Sequence, residues 1–192
     1  MQLFMGIDPG ISGACALLDA EKKTVRFWDT PVLSIKVGKK FKNVPNAYAM
    51  AAILREANAD GDLMVVIEKV NAMPDTGTGA RMGATSAFSF GMGFGLWLGI
   101  LAALEIPHQQ VHPATWKSKI MSGMSKEKDA SRVRAMELYP QAAKDLSRKK
   151  DHGRGDALLL ARYAWLTGAV PDAKQQEPMQ NLFDGSGISP NG

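Results

Sequence analysis

The stretch Leu3-Phe4-Met5-Gly6-Ile7-Asp8-Pro9-Gly10 lies near the start of the chain and decides the fold. A continuous apolar run of this length is typical of a strand that is buried on both faces of a sheet. Asp8 follows the run directly, and Pro9-Gly10 reverses the chain after it. Open α/β sheets bind ligands at the carboxyl ends of such strands, so Asp8 is the first candidate for a functional side chain. Asp is also a common turn residue, and a purely structural role in the turn is the alternative.

A second apolar run also ends in a single acidic residue. The pattern of the first strand recurs at residues 63–68, which are Leu-Met-Val-Val-Ile-Glu. If the two strands are parallel neighbours, Asp8 and Glu68 project from the same edge of the sheet. Two like charges placed together are costly unless a cation lies between them, so this pair predicts a cation site. The alternative is that they are two unrelated surface acids.

A third acidic candidate lies at the start of a late helix. Residues 151–156 are Asp-His-Gly-Arg-Gly-Asp, and the strongly helical segment 157–166 follows them. His152 and Asp156 share helical spacing with apolar residues further along, so Asp156 is predicted to face the sheet. Asp151 is a natural N-cap, and helix capping is an alternative explanation for its presence.

The other segments complete an α/β pattern. Strands predicted at residues 13–19 and 24–30 are separated by a loop short enough for an antiparallel hairpin. A short strand is predicted at residues 107–112, and helices are predicted at 46–58 and in the uncharged segment up to Leu104. The sequence therefore predicts an α/β fold with a five-stranded mixed sheet flanked by helices.

Length and composition limit the domain organisation. The chain has 192 residues and 45% hydrophobic content, which is enough for one domain, predicted at residues 1–168. Proline, glycine and glutamine recur in residues 169–192, which predicts a flexible C-terminal tail. The net charge of +4 is compatible with a polyanionic partner. The single cysteine, Cys15, cannot form an internal disulfide, and we expect a cytoplasmic protein because the N-terminus does not resemble a signal peptide.

The segment 82–104 carries no charged residue and could be mistaken for a membrane span. Gly91, Gly95 and Gly99 also repeat the small-residue spacing of helix dimers in lipid. Serine, threonine and glycine lower its hydrophobicity, and predicted strands of one sheet lie on both sides of it. We therefore expect a helix packed on the sheet or on a partner subunit, with no membrane.

Basic residues cluster in several places along the chain. Lys39 and Lys40 lie with two further lysines in a segment punctuated by glycine and proline, which is predicted to be a loop. Arg81 lies in the Gly-, Pro- and Thr-rich segment 71–83, and such loops beside a site often hold the substrate. Contact with phosphate and simple solvation are both open for these side chains.

Four segments taken together resemble one known family. They are Gly6-Ile7-Asp8-Pro9-Gly10, Val66-Ile67-Glu68, Pro113-Ala114-Thr115-Trp116-Lys117, and Asp156-Ala157-Leu158 at the start of a helix. In this order they resemble the RNase H-like nucleases, and specifically the phage-type members of the RuvC family of Holliday junction resolvases. The resemblance covers residues 3–166.

The resemblance implies a homodimeric endonuclease, bacterial or phage-encoded, that nicks two symmetric strands of a four-way DNA junction. It implies Mg²⁺ or Mn²⁺, two ions per active site, held by Asp8, Glu68 and Asp156, with Asp8 as the bridge. Two such ions activate a water and stabilise the leaving oxygen in phosphodiester hydrolysis. Lys117 and Lys126 are further candidates for the catalytic site, where they would neutralise the scissile phosphate. The candidates for DNA contact are Lys39, Lys40, Arg81, Lys117, Lys126, Lys128, Lys149, Lys150 and Arg154.

One position departs from the family pattern. The family places its fourth ligand, Asp or His, three residues before the last Asp, and in this chain that residue is Gly153. Asp151 and His152 are the competing substitutes. Asp151 is favoured as a ligand because hard cations prefer oxygen, and His152 is a candidate base that orients the attacking water.

Two other functions fit parts of the pattern. The departure at Gly153 is compatible with a catalytically silent protein that binds branched DNA. A nucleotide phosphotransferase of the actin and sugar-kinase type shares this sheet, but it needs two similar lobes, and the chain has no second acidic glycine-rich turn. In the tail, Met179-Gln180-Asn181-Leu182-Phe183 loosely resembles peptides that dock on replication sliding clamps, without their leading glutamine.

Overall fold

The computed structural model describes residues 1–69, 83–124 and 129–172. The predictions made for Arg81, Lys126 and Lys128 lie outside these residues. The same is true of the sliding-clamp motif and of nearly all of the predicted tail, which stay predictions.

Within the described residues, seven strands form two sheets. In chain order they are β1 (Gln2–Ile7), β2 (Ala14–Asp19), β3 (Thr24–Asp29), β4 (Val32–Val37), β5 (Lys40–Pro45), β6 (Asp62–Glu68) and β7 (His108–Val111). The larger sheet has the order β3-β2-β1-β6-β7. β1, β2 and β3 pair antiparallel, whereas β6 is parallel to both β1 and β7. The predicted five-stranded mixed sheet is therefore confirmed.

The smaller sheet corrects one prediction. The lysine-rich segment expected to be a loop is a two-stranded antiparallel ribbon formed by β4 and β5. Its turn is closed by Gly38 at φ +62°, the conformation that a two-residue hairpin turn requires at its first position. The lysines interrupt the apolar pattern that would indicate a strand in β4, and glycine is equally typical of a loop.

In the part of the chain that the structure describes, five α-helices cover the larger sheet on both faces. They are α1 (Ala47–Ala59), α2 (Ala84–Ala103), α3 (Pro113–Ile120), α4 (Ala130–Leu138) and α5 (His152–Thr167). α1 and α2 pack on one face, where Leu3, Met5 and Ile7 of β1 point. The other three helices pack on the opposite face with Phe4. This alternation along β1 explains its continuous apolar run, since both faces of the strand are buried.

The close contact between α5 and β1 positions the late acidic residue. A β-carbon at Gly6 would stand 2.0 Å from the Ala157 carbonyl oxygen and 2.6 Å from the Ala161 nitrogen. Only glycine fits at that point, so β1 and α5 approach each other there to backbone contact. Gly6 precedes Asp8 by two residues and Ala157 directly follows Asp156, so the contact brings these two acidic residues to one end of the sheet.

Helix α2 is long and apolar, as expected, but much of its surface is exposed. Trp97 and Leu101 are fully buried in the core, whereas Phe88 has 73% of its surface exposed. By length and composition alone, residues Thr85–Ala103 could cross a membrane, and 17% of the most apolar window is buried. The expected packing on the sheet therefore accounts for one side of this helix only.

Candidate active site

Asp8 and Glu68 lie next to each other at the carboxyl ends of two neighbouring strands of the larger sheet. In the parallel pairing of β1 with β6, Ile7 is aligned with Ile67, so Asp8 and Glu68 follow at the same level. The expectation that these two strands are parallel neighbours is confirmed.

Asp8 is a partly buried carboxylate in a tight turn. The Gly10 backbone N–H donates a hydrogen bond to Asp8 Oδ1 at 3.2 Å. Burial raises the pKa of Asp8 to about 7, and the negative charges of Asp156 and Glu68 act in the same direction. The Gly10 hydrogen bond and the charge of Lys117 oppose this rise in the pKa. Such an elevated pKa is typical of carboxylates at functional sites.

Glu68 is held in place by a buried tryptophan. Trp116 Nε1 donates a hydrogen bond to Glu68 Oε2 at 2.7 Å, and the Trp116 side chain is fully buried. Burial raises the pKa of Glu68, while the Trp116 hydrogen bond and the charge of Lys117 lower it. Trp116 belongs to one of the four segments that resemble the family, but no local pattern in the sequence predicts that it supports Glu68.

Asp156 lies on the first turns of α5, next to α4. A β-carbon at Gly155 would stand 2.7 Å from Arg132 Cα, so the glycine lets the two helices approach closely. This contact brings the Ser131 hydroxyl within hydrogen-bond distance of the Asp156 carboxylate. Burial raises the pKa of Asp156, and Ser131 and Lys117 lower it. Asp156 Oδ1 is buried and has no hydrogen-bond partner among the described residues, which is unusual for a buried acceptor.

Lys117 is the cation that the three carboxylates share. Its charge lowers the pKa of Asp8, of Glu68 and of Asp156. Its ammonium group lies 5.1 Å from the centre of the Trp116 ring, and the side chain is exposed. The charge of Lys117 therefore acts on all three predicted carboxylates, and their role as a metal site stays a prediction.

Gly153 stands in the position of the family's fourth ligand and packs tightly. A β-carbon there would lie 2.8 Å from the Ser12 carbonyl oxygen, 2.9 Å from Gly13 Cα and 3.1 Å from Asp8 Oδ2. The first two distances are shorter than side-chain contacts allow, and the third is tighter than most such contacts. The glycine thus lets the start of α5 approach the turn after β1, and no ligand-bearing side chain fits at this position.

Asp151 and His152 differ in their surroundings. Asp151 is buried and accepts hydrogen bonds from Arg148, from Nη2 at 2.7 Å and from the backbone nitrogen at 2.9 Å. These bonds hold the pKa of Asp151 below its usual range. His152 lines the groove beside Asp8, and its charge acts on Asp156. The placement therefore favours His152 over Asp151 as a residue that acts at the site. This differs from the prediction that Asp151 is a metal ligand, because the Asp151 carboxylate already accepts hydrogen bonds from Arg148.

The predicted DNA-contacting cations fall into two groups. Arg154 is committed to a two-point ion pair with Asp29, with Nε to Oδ1 at 2.6 Å and Nη2 to Oδ2 at 2.9 Å. This pairing does not support the predicted DNA contact of Arg154. The side chains that remain exposed are those of Lys39, Lys40, Lys117, Lys149 and Lys150.

A groove with a volume of about 500 Å³ leads away from Asp8. It runs between the turn after β1, the β5 strand and the first turns of α2. Besides Asp8 and His152 it is lined by Lys42, Asn43, Thr85, Ser86, Ser89 and Phe90. Most of these side chains were not predicted as site residues, because they come from two elements that are distant in sequence.

The chemistry of these side chains suits a hard divalent cation, which prefers carboxylate oxygens. Among the described residues, however, no group of three or more acidic, histidine or cysteine side chains is arranged to hold a metal ion. Asp156 Oδ1, buried and without a partner in the same residues, is an acceptor that such a cation would satisfy. The carboxylates thus supply the oxygen atoms that a divalent cation prefers. To hold such a cation, their side chains must turn toward each other.

No protein-family model matches this chain. The chain is 29% identical over 166 residues to the chloroplastic Holliday junction resolvase MOC1 of Chlamydomonas reinhardtii. That match covers 79% of this chain but only 18% of the length of the curated relative.

Two solved structures share the fold. The first, T. thermophilus RuvC in complex with a Holliday junction substrate, has a TM-score of 0.52 at 14% sequence identity and covers 89% of this chain and 99% of RuvC. The second, Thermus thermophilus RuvC, has a TM-score of 0.48 at 16% identity, with coverages of 88% and 98%. The first comparison shows that this chain has the fold of RuvC, which is RNase H-like.

Proposed function

We propose that this chain is a metal-dependent endonuclease that resolves four-way DNA junctions by paired symmetric nicks. The observation that carries the proposal is the alignment of β1 with β6 together with the close contact of Gly6 with Ala157, which bring Asp8, Glu68 and Asp156 to one end of the sheet. The sequence similarity to a curated Holliday junction resolvase and the shared fold with RuvC support the same activity.

In this proposal Asp8, Glu68 and Asp156 hold Mg²⁺ or Mn²⁺, two ions per site. When bound, such cations supply an activated water and stabilise the leaving oxygen of a phosphodiester. Trp116 keeps Glu68 in one orientation through its 2.7 Å hydrogen bond. Lys117 is exposed beside the carboxylates and places a positive charge where a phosphate would approach.

His152 is the candidate base. Its position on the wall of the groove beside Asp8 would let the imidazole accept a proton from the attacking water. Asp151 would have a structural role, since its hydrogen bonds to Arg148 fix the entry into α5.

The second part of the proposal is a homodimer, since one site reaches one strand and paired cuts require two. The exposed side of α2 supports a contact with a second copy, because it is uncharged and includes Phe88, Gly91, Gly95 and Gly99. Small residues at this spacing allow two helices to pack closely. The dimer is tested by light scattering, and Gly95→Glu is expected to yield monomers because it places a charge in the apolar contact.

The activity is tested by incubating the chain with an end-labelled four-way junction and Mg²⁺, and by mapping the cuts on all four strands. We expect two cuts at symmetric positions on opposite strands. Asp8→Asn and Glu68→Gln should lose nicking and keep binding to the junction. Persistent nicking by both variants would refute the assignment of these carboxylates.

A catalytically silent junction-binding protein is the second candidate, and one observation favours it. The position of the fourth ligand is Gly153, where no side chain fits. The same incubation separates the two functions, because a silent protein shifts the junction in a gel and leaves all four strands intact in Mg²⁺ and in Mn²⁺.

A further inference from the structure

We propose that the β4–β5 ribbon is a DNA-binding arm that enters the groove of the duplex leading to the cut and neutralises its phosphates. The inference rests on the proposed function and adds a surface that the carboxylate site does not include. The proposed ligand of the ribbon is the phosphate backbone of one junction arm.

The charge of the ribbon is the first argument. Residues 31–46 contain four lysines and no acidic residue, the lysines being Lys36, Lys39, Lys40 and Lys42. All four are exposed. Within the described part of the chain, none of them forms an ion pair with a carboxylate, in contrast to Arg26, Arg148 and Arg154. Unpaired cations concentrated on one projecting element are typical of a protein surface that binds nucleic acid.

The base of the ribbon is fixed beside the carboxylate site. The Thr30 backbone nitrogen donates to the Gly13 carbonyl oxygen at 2.9 Å, in the turn that follows Asp8. At the other side of the base, a β-carbon at Gly93 of α2 would lie 3.2 Å from the Pro9 carbonyl oxygen and 3.8 Å from Pro45 Cγ. The ribbon therefore starts at the active-site turn and is held by α2.

The groove beside Asp8 continues onto the ribbon. Lys42 and Asn43 form one of its walls, and Lys42 Nζ donates a hydrogen bond to Ser89 Oγ at 3.3 Å. A strand bound at Asp8 would thus pass Lys42 before it reaches the lysines nearer the turn.

The dimensions of the ribbon match those of duplex DNA. Each strand has six residues, which at about 3.4 Å per residue gives a length of roughly 20 Å. That length corresponds to roughly six phosphates along one strand of a duplex. The major groove is wide enough to admit a two-stranded ribbon.

The lysines are distributed over both faces of the ribbon. Pairing places Lys40 opposite Val37 and Lys42 opposite Ile35 on one face, while Lys36 lies opposite Phe41 on the other. Cations on both faces can neutralise the two phosphate backbones that border a groove, whereas a single basic face would suit only one of them.

The test compares two double variants with the same loss of charge, using the full chain. Lys39→Gln with Lys40→Gln removes cations at the ribbon turn. Lys23→Gln with Lys144→Gln is the control, because Lys23 lies at the opposite end of the sheet and Gln141 binds the Lys23 carbonyl there. Binding to a labelled four-way junction is measured in chelator, where no cutting occurs, over a salt range of about 50 to 200 mM.

We expect the slope of log K against log salt to become shallower by about 1.8 for the ribbon variant, since each phosphate contact contributes about 0.9. The control should keep the wild-type slope. An unchanged slope in the ribbon variant, or an equal change in the control, overturns the proposal. Because the slope is measured without cutting, its outcome is independent of whether the wild-type chain nicks.

A third variant tests the other possible occupant of the ribbon, a second copy of this chain. Phe41 is 73% exposed near the turn, and Phe41→Ser should leave the molecular mass in light scattering equal to that of the wild type. A halved mass would assign the ribbon to a protein interface and overturn the DNA-binding role.

Discussion

Gly153 lies against Asp8 so closely that a β-carbon on the glycine would stand 3.1 Å from Asp8 Oδ2. The same atom would be 2.8 Å from the Ser12 carbonyl oxygen. The absence of a side chain is therefore the means by which α5 reaches the turn after β1. A carboxylate introduced at this position would have to displace that turn before it could bind anything.

We expect Gly153→Ala to destabilise the protein. Replacing a helical glycine by alanine usually gains about 0.5–1 kcal/mol, but inserting a methyl group into a packed contact costs about 1–3 kcal/mol. The second effect is larger, so urea unfolding should show a net loss of stability. Gly153→Asp should lose more and should not increase nicking.

His152→Ala is the control for this measurement, because it changes the neighbouring residue of the same helical turn and removes atoms. It should leave stability within about 0.5 kcal/mol of the wild type, as is usual for partly exposed side chains. A rise in stability on Gly153→Ala would show that the turn yields and that the contact is not tight.

The raised pKa of Asp8 predicts a pH-dependent stability in the absence of metal. The folded-state pKa is about 7, compared with an ordinary value of 3.8. Between these values the folded state holds a proton that the unfolded state has released, so the free energy of unfolding falls as pH rises. Asp8→Asn removes this fall. In chelator, the variant should melt close to the wild type near pH 4 and above it near pH 8.

The control is Asp62→Asn, an exposed acid at the opposite end of β6, and any pH dependence that it shares with Asp8→Asn is subtracted. A variant of Asp8 that melts below the wild type near pH 8 would contradict the mutual repulsion of the three carboxylates. Addition of Mg²⁺ should raise the melting temperature of the wild type more than that of Asp8→Asn.

The larger sheet and the neighbouring positions of Asp8 and Glu68 at the ends of β1 and β6 could be predicted because each depends on a local pattern. Buried strands have continuous apolar runs, and the acids of β1 and β6 end two such runs. The ribbon could not be predicted in the same way, since both of its faces are exposed and its strands bury almost nothing that would impose a pattern. Its lysines and glycine are equally typical of a loop.

The partners of Asp151 and Glu68 illustrate a second limit. Arg148 and Asp151 are three residues apart, a spacing at which an ion pair is one of several outcomes, and the sequence favoured metal binding instead. Trp116 and Glu68 are 48 residues apart, and only the tertiary packing of the core that Trp116 shares with Val66 of β6 brings them together. The preference of cations for carboxylate ligands does not reveal which carboxylates already have hydrogen-bond partners within the protein.

Trp116→Phe should raise the Mg²⁺ concentration needed for nicking. The change keeps most of the buried ring but removes the N–H group that donates to Glu68 Oε2 at 2.7 Å. Loss of a partner that orients a metal-binding carboxylate typically costs about 10- to 100-fold in metal affinity or activity. The rate of junction cutting is measured as a function of Mg²⁺.

Trp97→Phe is the matched control, because Trp97 is also fully buried and its Nε1 has no hydrogen-bond partner among the described residues. Both variants remove similar volume from the core, but only Trp116→Phe also removes a hydrogen bond, so its loss of stability should be the larger of the two. Only Trp116→Phe should change the Mg²⁺ concentration needed for nicking. An equal change in both variants would assign the effect to packing.

Lys117→Gln should shift the acidic limb of the pH–rate profile to higher pH. The charge of Lys117 lowers the pKa of Asp8, of Glu68 and of Asp156, so its removal raises all three pKa values. Nicking requires ionised carboxylates, and the loss of rate should therefore be larger near pH 6 than near pH 9. Lys119→Gln changes an exposed lysine of the same helix, two residues later, and should leave the profile in place. A uniform loss at every pH would instead mean that Lys117 acts on the DNA alone, since a missing phosphate contact weakens binding without changing the protonation of the carboxylates.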